Sequence, residues 1–185
     1  MLGEMPWGTH FCHFYETKED LLDVVVPFFK AGLENNEYCL WAVLYPLTVE
    51  EATNALRLAV PAGEQHIAAG DIEIVRYSAW YLRDGRFDVE RVIEASREKV
   101  AQALAKRYAG VRLSANESSP MRTDWKEFSQ YELKLDRLLA GERMLVLCSY
   151  SLASSTAAHA FEIARIHQFA VAKRSGRWEL LKQHE

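Results

Sequence analysis

Tyr38 to Tyr45 is apolar at nearly every position and is bounded by Glu34-Asn35-Asn36 and by Pro46. A run of that length reads as a strand covered on both faces. Met144 to Tyr150 repeats the pattern. These two segments constrain the chain most, because a sheet buried on both sides needs helices above and below it. The intervening sequence supplies them. Leu21, Val25, Phe28, Phe29 and Gly32 fall at helical spacing behind a Thr17/Asp20 capping box, with Pro27 expected to bend or locally break that helix. Thr48 to Ala59 predicts a second helix. Asp88 to Tyr108 predicts the longest, with Asp88 as cap and Val89, Val92, Ile93, Val100, Ala103 and Leu104 as its inner stripe. Asp124 to Leu139, with a capping box at Asp124 and Glu127, and Thr156 to Ile166 predict two more.

Further strands are expected over Gly8–Tyr15, Asp71–Tyr77 and Val111–Ala115, with an aromatic turn at Ser78–Leu82. Phe169–Ala172 and Trp178–Leu181 flank a turn at Ser175-Gly176 and read as a hairpin. Strands that alternate with helices pair in parallel, because parallel neighbours need a crossover. The expected fold is α/β, a three-layer α/β/α arrangement around a mainly parallel sheet with a C-terminal antiparallel hairpin. With 185 residues, 49% hydrophobic and 26% charged, residues 1–185 are expected to form a single domain.

Composition removes several function classes. A net charge of -4 argues against direct nucleic-acid binding, and the basic spot of Lys173, Arg174 and Arg177 is too small to reverse it. Cys12, Cys39 and Cys148 are odd in number and lack CxxC spacing, which disfavours a disulfide framework or zinc knuckle and fits a reducing cytoplasm. No signal peptide is evident at the start, and no apolar stretch approaches the roughly 18–20 residues of a membrane span.

In the first strand, Gly8-Thr9-His10-Phe11-Cys12-His13-Phe14-Tyr15, residues two apart share a face. His10 and Cys12 therefore point the same way, with Cα atoms about 6.8 Å apart. Such a pair suits a polar anchor for a small molecule, a soft metal site that Cys148, His13 or His167 would complete, or an activated thiol. Catalysis is the weaker reading, since neighbours inside a sheet are poorly placed for substrate and no GxSxG elbow exists. Nucleotide binding lacks its usual cradle: there is no GxxxxGK[ST], and none of the nine glycines lies two residues from another.

In a parallel α/β sheet, ligands gather beyond the carboxyl ends of the strands. That edge collects Tyr15, Glu16, Tyr45, Tyr77, Trp80, Glu117 and Tyr150. Arg112 shares a strand face with Ser114, Glu117 follows in the expected loop, and Glu132 interrupts an apolar helix stripe between Phe128 and Leu135. Arg112 paired with Glu132 or Glu117 is one reading of these charges; a solvated strand end and helix face is the other. Trp80, Tyr81, Trp125 and Tyr131 suit either core or the wall of an apolar pocket.

Taken in order, Gly8 to Glu16, Val26 to Leu33, Glu37-Tyr38-Cys39, Gly85 to Asp88, Val111 to Ser114, Asp124-Trp125 through Tyr131-Glu132, Leu147 to Tyr150 and His167 resemble the methanogen/methylotroph sensory domain, MEDS. The resemblance spans nearly the whole chain. It implies a RecA-like or Rossmann-like sensor without a phosphate loop, binding small hydrocarbon derivatives and controlling an output module such as a transcriptional repressor or sensor kinase. It also implies that His10, Cys12, Tyr15, Arg112, Glu132, Cys148 and His167 line or support the pocket. The chain departs from the family at Ala115-Asn116-Glu117-Ser118, Tyr150-Ser151 and His167-Gln168, so a ligand class carries over but not a ligand.

The leading expectation is a cytoplasmic, ligand-sensing regulatory domain. Its binding residues would be His10, Cys12, Tyr15, Trp80, Arg112, Glu117, Glu132, Cys148, Tyr150 and His167, and its signal would pass to a regulator, a kinase or a second copy. No cofactor is called for, and a bound metal is left open. The alternatives are a metal- or redox-responsive protein using His10 and Cys12, and a degenerate RecA-like nucleotide-binding enzyme.

Overall fold

Strand β1 (His10–Tyr15) is followed by α1 (Lys18–Glu34), β2 (Tyr38–Val43), α2 (Val49–Ala59), α3 (Gly63–Ala69) and β3 (Ile72–Arg76). Next come α4 (Tyr77–Tyr81), a small ribbon of β4 (Leu82–Arg83) and β5 (Arg86–Phe87), α5 (Val89–Ala105) and β6 (Val111–Glu117). The chain continues through α6 (Trp125–Leu139), β7 (Met144–Ser151), α7 (Ala157–Ile166), β8 (Phe169–Arg174) and β9 (Arg177–Lys182). This computed structural model describes residues 5–117 and 125–182.

Seven strands form one sheet in the order β3-β2-β6-β7-β1-β8-β9. Every pairing in it is parallel except the β8–β9 hairpin. This is the α/β architecture expected, hairpin included. Alternation along each strand divides the interior. His10, Cys12 and Phe14 face the α4–α7 layer with Val146, Cys148 and Tyr150, whereas Phe11, His13 and Tyr15 face the α1–α3 layer with Leu145 and Leu147. β2 is buried throughout, as its continuous apolar run required.

Helix boundaries follow local chemistry. Thr17 and Asp20 form the expected capping box, a second box joins Thr48 and Glu51, and Asp88 caps α5. Several expectations are corrected. Pro27 does not break α1, because it lies on the exposed side, where the lost backbone bond faces water. The aromatic segment after β3 is a short helix rather than a turn, and α3 and the β4–β5 ribbon had no strong periodic signal. α5 ends at Ala105 and equals α1 in length, and Leu104 is 39% exposed, outside the inner stripe. Glu117 is the last residue of β6, not part of a loop. The Asp124/Glu127 capping box lies outside the described residues and side chains.

Arg112 lies on the α1–α3 side, which separates it from Glu132. Its guanidinium pairs with Glu37, donates from Nη1 to the Phe28 carbonyl (3.0 Å) and lies over the Phe28 ring. Gly32 makes room for it, since a Cβ there would approach Arg112 Cδ to 2.8 Å and Cys39 Sγ to 2.9 Å. Arg112 is thus a buried strut between α1 and the sheet. Removing the carboxylate from a buried pair costs about 3–5 kcal/mol. Glu37→Ala is expected to lose that much in urea unfolding, and Glu37→Gln less, because the amide oxygen still accepts.

Candidate functional site

α6 buries Phe128, Tyr131, Leu135, Leu138 and Leu139 at helical spacing, and Glu132 sits inside that stripe at 1% exposure. A carboxylate there needs partners. His10 Nε2, at the start of β1, lies 3.2 Å from Glu132 Oε2, and His167 Nε2 lies 3.4 Å from the same oxygen. Cys148, in mid β7, places Sγ 3.6 Å from His10 Nε2 and 3.9 Å from Glu132 Oε2. The Tyr150 hydroxyl donates to Glu132 Oε1 at 3.0 Å. The two imidazoles are tilted at 47° with centroids 4.1 Å apart.

The outer atoms of this cluster are also held. His167 caps the C-terminus of α7, and its Nδ1 donates to the Ile163 carbonyl at 2.8 Å, which leaves Nε2 toward Glu132. His10 Nδ1 lies 3.4 Å from Asp136 Oδ1, within reach of charge attraction but without good hydrogen-bond alignment. Asp136 is 38% exposed, so it connects the cluster with the surface.

Burial alone would raise the Glu132 carboxyl, but the His10 and His167 imidazoles beside it outweigh that and hold the group down at about 2. Burial opposes charge on His10, yet Asp136 and Glu132 together raise its pKa. His167 is lowered by burial and by the charge of His10. These directions place the cluster's shared proton between His10 and Glu132 rather than on His167 Nε2. Burial pushes the Cys148 and Cys12 thiols up, with Glu132 adding to both. Both sulfurs remain protonated at neutral pH without a counter-charge.

Of the ten sequence candidates, His10, Glu132, Cys148, Tyr150 and His167 are brought together. Cys12 shares the face and is opposite Cys148 in register, but its Sγ is directed to the Phe169 carbonyl at 3.9 Å. Glu117 lies on the same face at the carboxyl edge, where Tyr77 donates to its Oε1 at 3.2 Å. Trp80 is partly buried in α4 and its carbonyl accepts from Arg91 at 2.7 Å. Tyr15 and Arg112 belong to the opposite face, although the Tyr15 hydroxyl reaches the Glu117 carbonyl at 3.5 Å. Burial raises Tyr15 to about 12.

His13 also faces the other layer, against Ser149 and Trp178, and burial lowers it to about 3. The cluster lies beneath α6 and α7 and runs from His10 and His167 at the amino ends of β1 and β8 to Tyr150, which stands opposite Glu117 near the carboxyl edge. Asp136 was missed; its signal is the four-residue spacing from Glu132. A surface depression is lined by Arg83, Asp84, Arg86 and their neighbours and includes none of the ten candidates. The connection from β1 to α1 is only Glu16 and Thr17, and the α1 amino end is engaged by its own Thr17 and by Asp20, which also accepts from Lys173 at 2.8 Å.

A family model described as MEDS, the methanogen/methylotroph, DcmR sensory domain, matches residues 9–168. No curated protein matches the chain. Among solved structures, the crystal structure of flagellar accessory protein FlaH from Methanocaldococcus jannaschii is similar, with a TM-score of 0.65 and 11% identity. The similarity covers 98% of this chain and 81% of that one and concerns the fold. Among the described residues, no helix is long and apolar enough to cross a membrane.

Glu117 is raised from 4.5 to about 8, first by burial and then by the Glu132 charge. A raised folded pKa means the native state binds the extra proton between those values, so its contribution to stability is full below about 4.5 and declines as pH rises through about 8. Wild-type stability from urea unfolding should carry this downward component, and Glu117→Gln should remove it. An unchanged slope in the variant would place the titration elsewhere.

Proposed function

The chain belongs to the MEDS family of sensory domains, and from that membership we propose that its input site is the buried cluster of His10, Glu132, Cys148, Tyr150 and His167. The observation that carries this reading is a carboxyl group enclosed in the core, with two imidazoles, a thiol and a phenol converging on it. An ion pair so placed is a weak source of stability, because desolvation of both ions offsets most of their attraction. It does provide polar anchors in surroundings that are otherwise apolar.

Phe128 packs edge-on to Tyr150, and Tyr131 packs against Tyr81 and Phe87 on the same side of the sheet. Aromatic walls with a few convergent polar groups suit a small guest with an apolar body and one polar function. A hydrocarbon derivative fits that description. Residues 1–185 act as one sensory unit in this reading. The protein carries information to an output regulator, a kinase or a second copy.

Transmission follows from where the anchors sit. Glu132 belongs to α6 and His167 ends α7, and of α7's own residues only Ile163 is buried. The guest shifts the conformational equilibrium by binding one arrangement of these helices better than the other. Phe161 on α7 and Leu133 on α6 are exposed and offer the partner an apolar contact.

Hydrogen exchange on the full chain, with and without short-chain alcohols, amines and halogenated alkanes, tests the proposal. At least one class should slow exchange in α6 and α7, with an overall stabilisation of about 2.7 kcal/mol at a hundred times Kd. Tyr150→Phe, which removes one donor to the carboxylate, should weaken that binding at least tenfold, since a hydrogen bond to a charged group contributes about 1.5–3 kcal/mol and a factor of ten is about 1.4 kcal/mol. No response to any class, or protection confined to α1–α3, would remove the cluster as input site.

A further inference from the structure

We propose that His10 Nε2, His167 Nε2, Glu132 Oε2 and Cys148 Sγ are the four ligands of one divalent transition-metal ion of the zinc class. All four donor atoms lie within 4.8 Å of one another, and all four residues are buried. The separations already resemble those of a coordination shell. Zinc bonds of about 2.0–2.1 Å to nitrogen, 2.0–2.2 Å to oxygen and 2.3 Å to sulfur give tetrahedral edges of about 3.4 Å for nitrogen–oxygen and about 3.6 Å for edges involving sulfur. The cluster has 3.2 and 3.4 Å from its two imidazoles to Glu132 Oε2, 3.6 Å from His10 to Cys148, and 3.9 Å from Cys148 to Glu132.

Each ligand except the thiol is oriented from behind. The Ile163 carbonyl holds His167 Nδ1, Asp136 flanks His10 Nδ1, and Tyr150 occupies the second oxygen of Glu132. Such outer partners fix which imidazole nitrogen faces the ion and which carboxylate oxygen is free for it. Charge closes as well: a dication with one carboxylate, one thiolate and two neutral imidazoles is neutral, which suits a dry interior. Binding releases to solvent the Cys148 thiol proton and the proton shared by His10 and Glu132. Mixed nitrogen, oxygen and sulfur donors favour zinc-like ions over magnesium or calcium.

Metal binding follows from these distances and outer partners alone. The ion's role as the anchor for the sensed molecule rests on the cluster being the input site. A guest would then act by displacing one ligand or by expanding the shell to five-coordinate.

Full-length protein should be stripped with chelator and titrated separately with Zn²⁺ and Co²⁺. One equivalent of each should bind, Zn²⁺ should raise the melting temperature, and Co²⁺ should give tetrahedral ligand-field bands with a thiolate-to-cobalt charge-transfer band. Cys148→Ser should abolish the charge-transfer band and weaken binding at least tenfold. Cys12→Ser should keep both the band and the affinity. If Cys148→Ser does not fold, His167→Gln serves, and at least tenfold weaker binding is expected. No stoichiometric binding to the folded chain, or loss of the thiolate band in Cys12→Ser instead of Cys148→Ser, overturns the assignment. Guest-induced protection of α6 and α7 in chelator-stripped protein would leave the sensor reading standing while refuting the ion as its anchor. Stoichiometric metal without any guest response would do the reverse.

Discussion

Enclosing the Glu132 carboxylate imposes more on this protein than any other single contact. An ionised carboxyl group in an apolar interior costs several kcal/mol unless its oxygens are met by donors. Here its neighbours come from three separate segments: His10 on β1 and Tyr150 on β7 supply donors, and His167, at the junction of α7 and β8, brings its ring to 3.4 Å from the oxygen that His10 meets. The requirement fixes how far α6 can slide along the sheet and where α7 must end. The opposite layer has a matching constraint, in which Arg112 on β6 reaches Glu37 ahead of β2 and the backbone of α1. One buried charge pair thus ties the helices to the sheet on each face.

Much of the framework was legible because its signals are local. The uninterrupted apolar run of β2, the capping chemistry at Thr17 and Asp88, and the two-residue period that aligns His10 with Cys12 all act within a few residues. Glu132 was also readable, because an acidic residue in an apolar helix stripe is conspicuous at helical spacing. Pairing across elements was not readable in the same way. Alternation tells which residues of one strand share a face but not which layer that face meets, so Arg112 was matched with acids that lie on the far side of the sheet. Likewise, sequence spacing favoured Cys12 as the partner of His10. The thiol beside His10 is instead Cys148, delivered by the parallel register of β1 and β7.

The sheet resembles that of FlaH in overall fold, yet most of the cluster lies on the sheet face rather than at the carboxyl strand ends, where such sheets usually bind ligands. Of its members, Tyr150 comes nearest that edge, opposite Glu117. The β1–α1 connection is two residues long, and the first turn of α1 already satisfies its amides with Thr17 and Asp20. A helix start engaged in this way has few free donors for an anion. Polar groups are instead concentrated under α6 and α7, within the part of the chain matched by the MEDS model.

Placement on the sheet face rather than at its edge bears on how a buried input can affect the outside. A ligand at the rim contacts loops, which move cheaply but transmit little. A ligand under two helices competes directly with the contacts that seat them. α7 fully buries only Ile163 of its own residues, with Ala160 and Ala164 partly buried against the same core, and His167 adds a polar hold at its end. Glu132 and Asp136 lie one turn apart on α6, the first enclosed and the second 38% exposed, so a change at the carboxylate is one helical turn from solvent. For the proposed sensor, the coupling free energy is the difference in cluster affinity between the two seatings of α6 and α7. Moving a two-state equilibrium from 1:99 to 99:1 needs about 5.5 kcal/mol of that difference. A weak surface contact does not supply it. Coordination or charge-assisted hydrogen bonding inside a low-dielectric cluster operates on that scale.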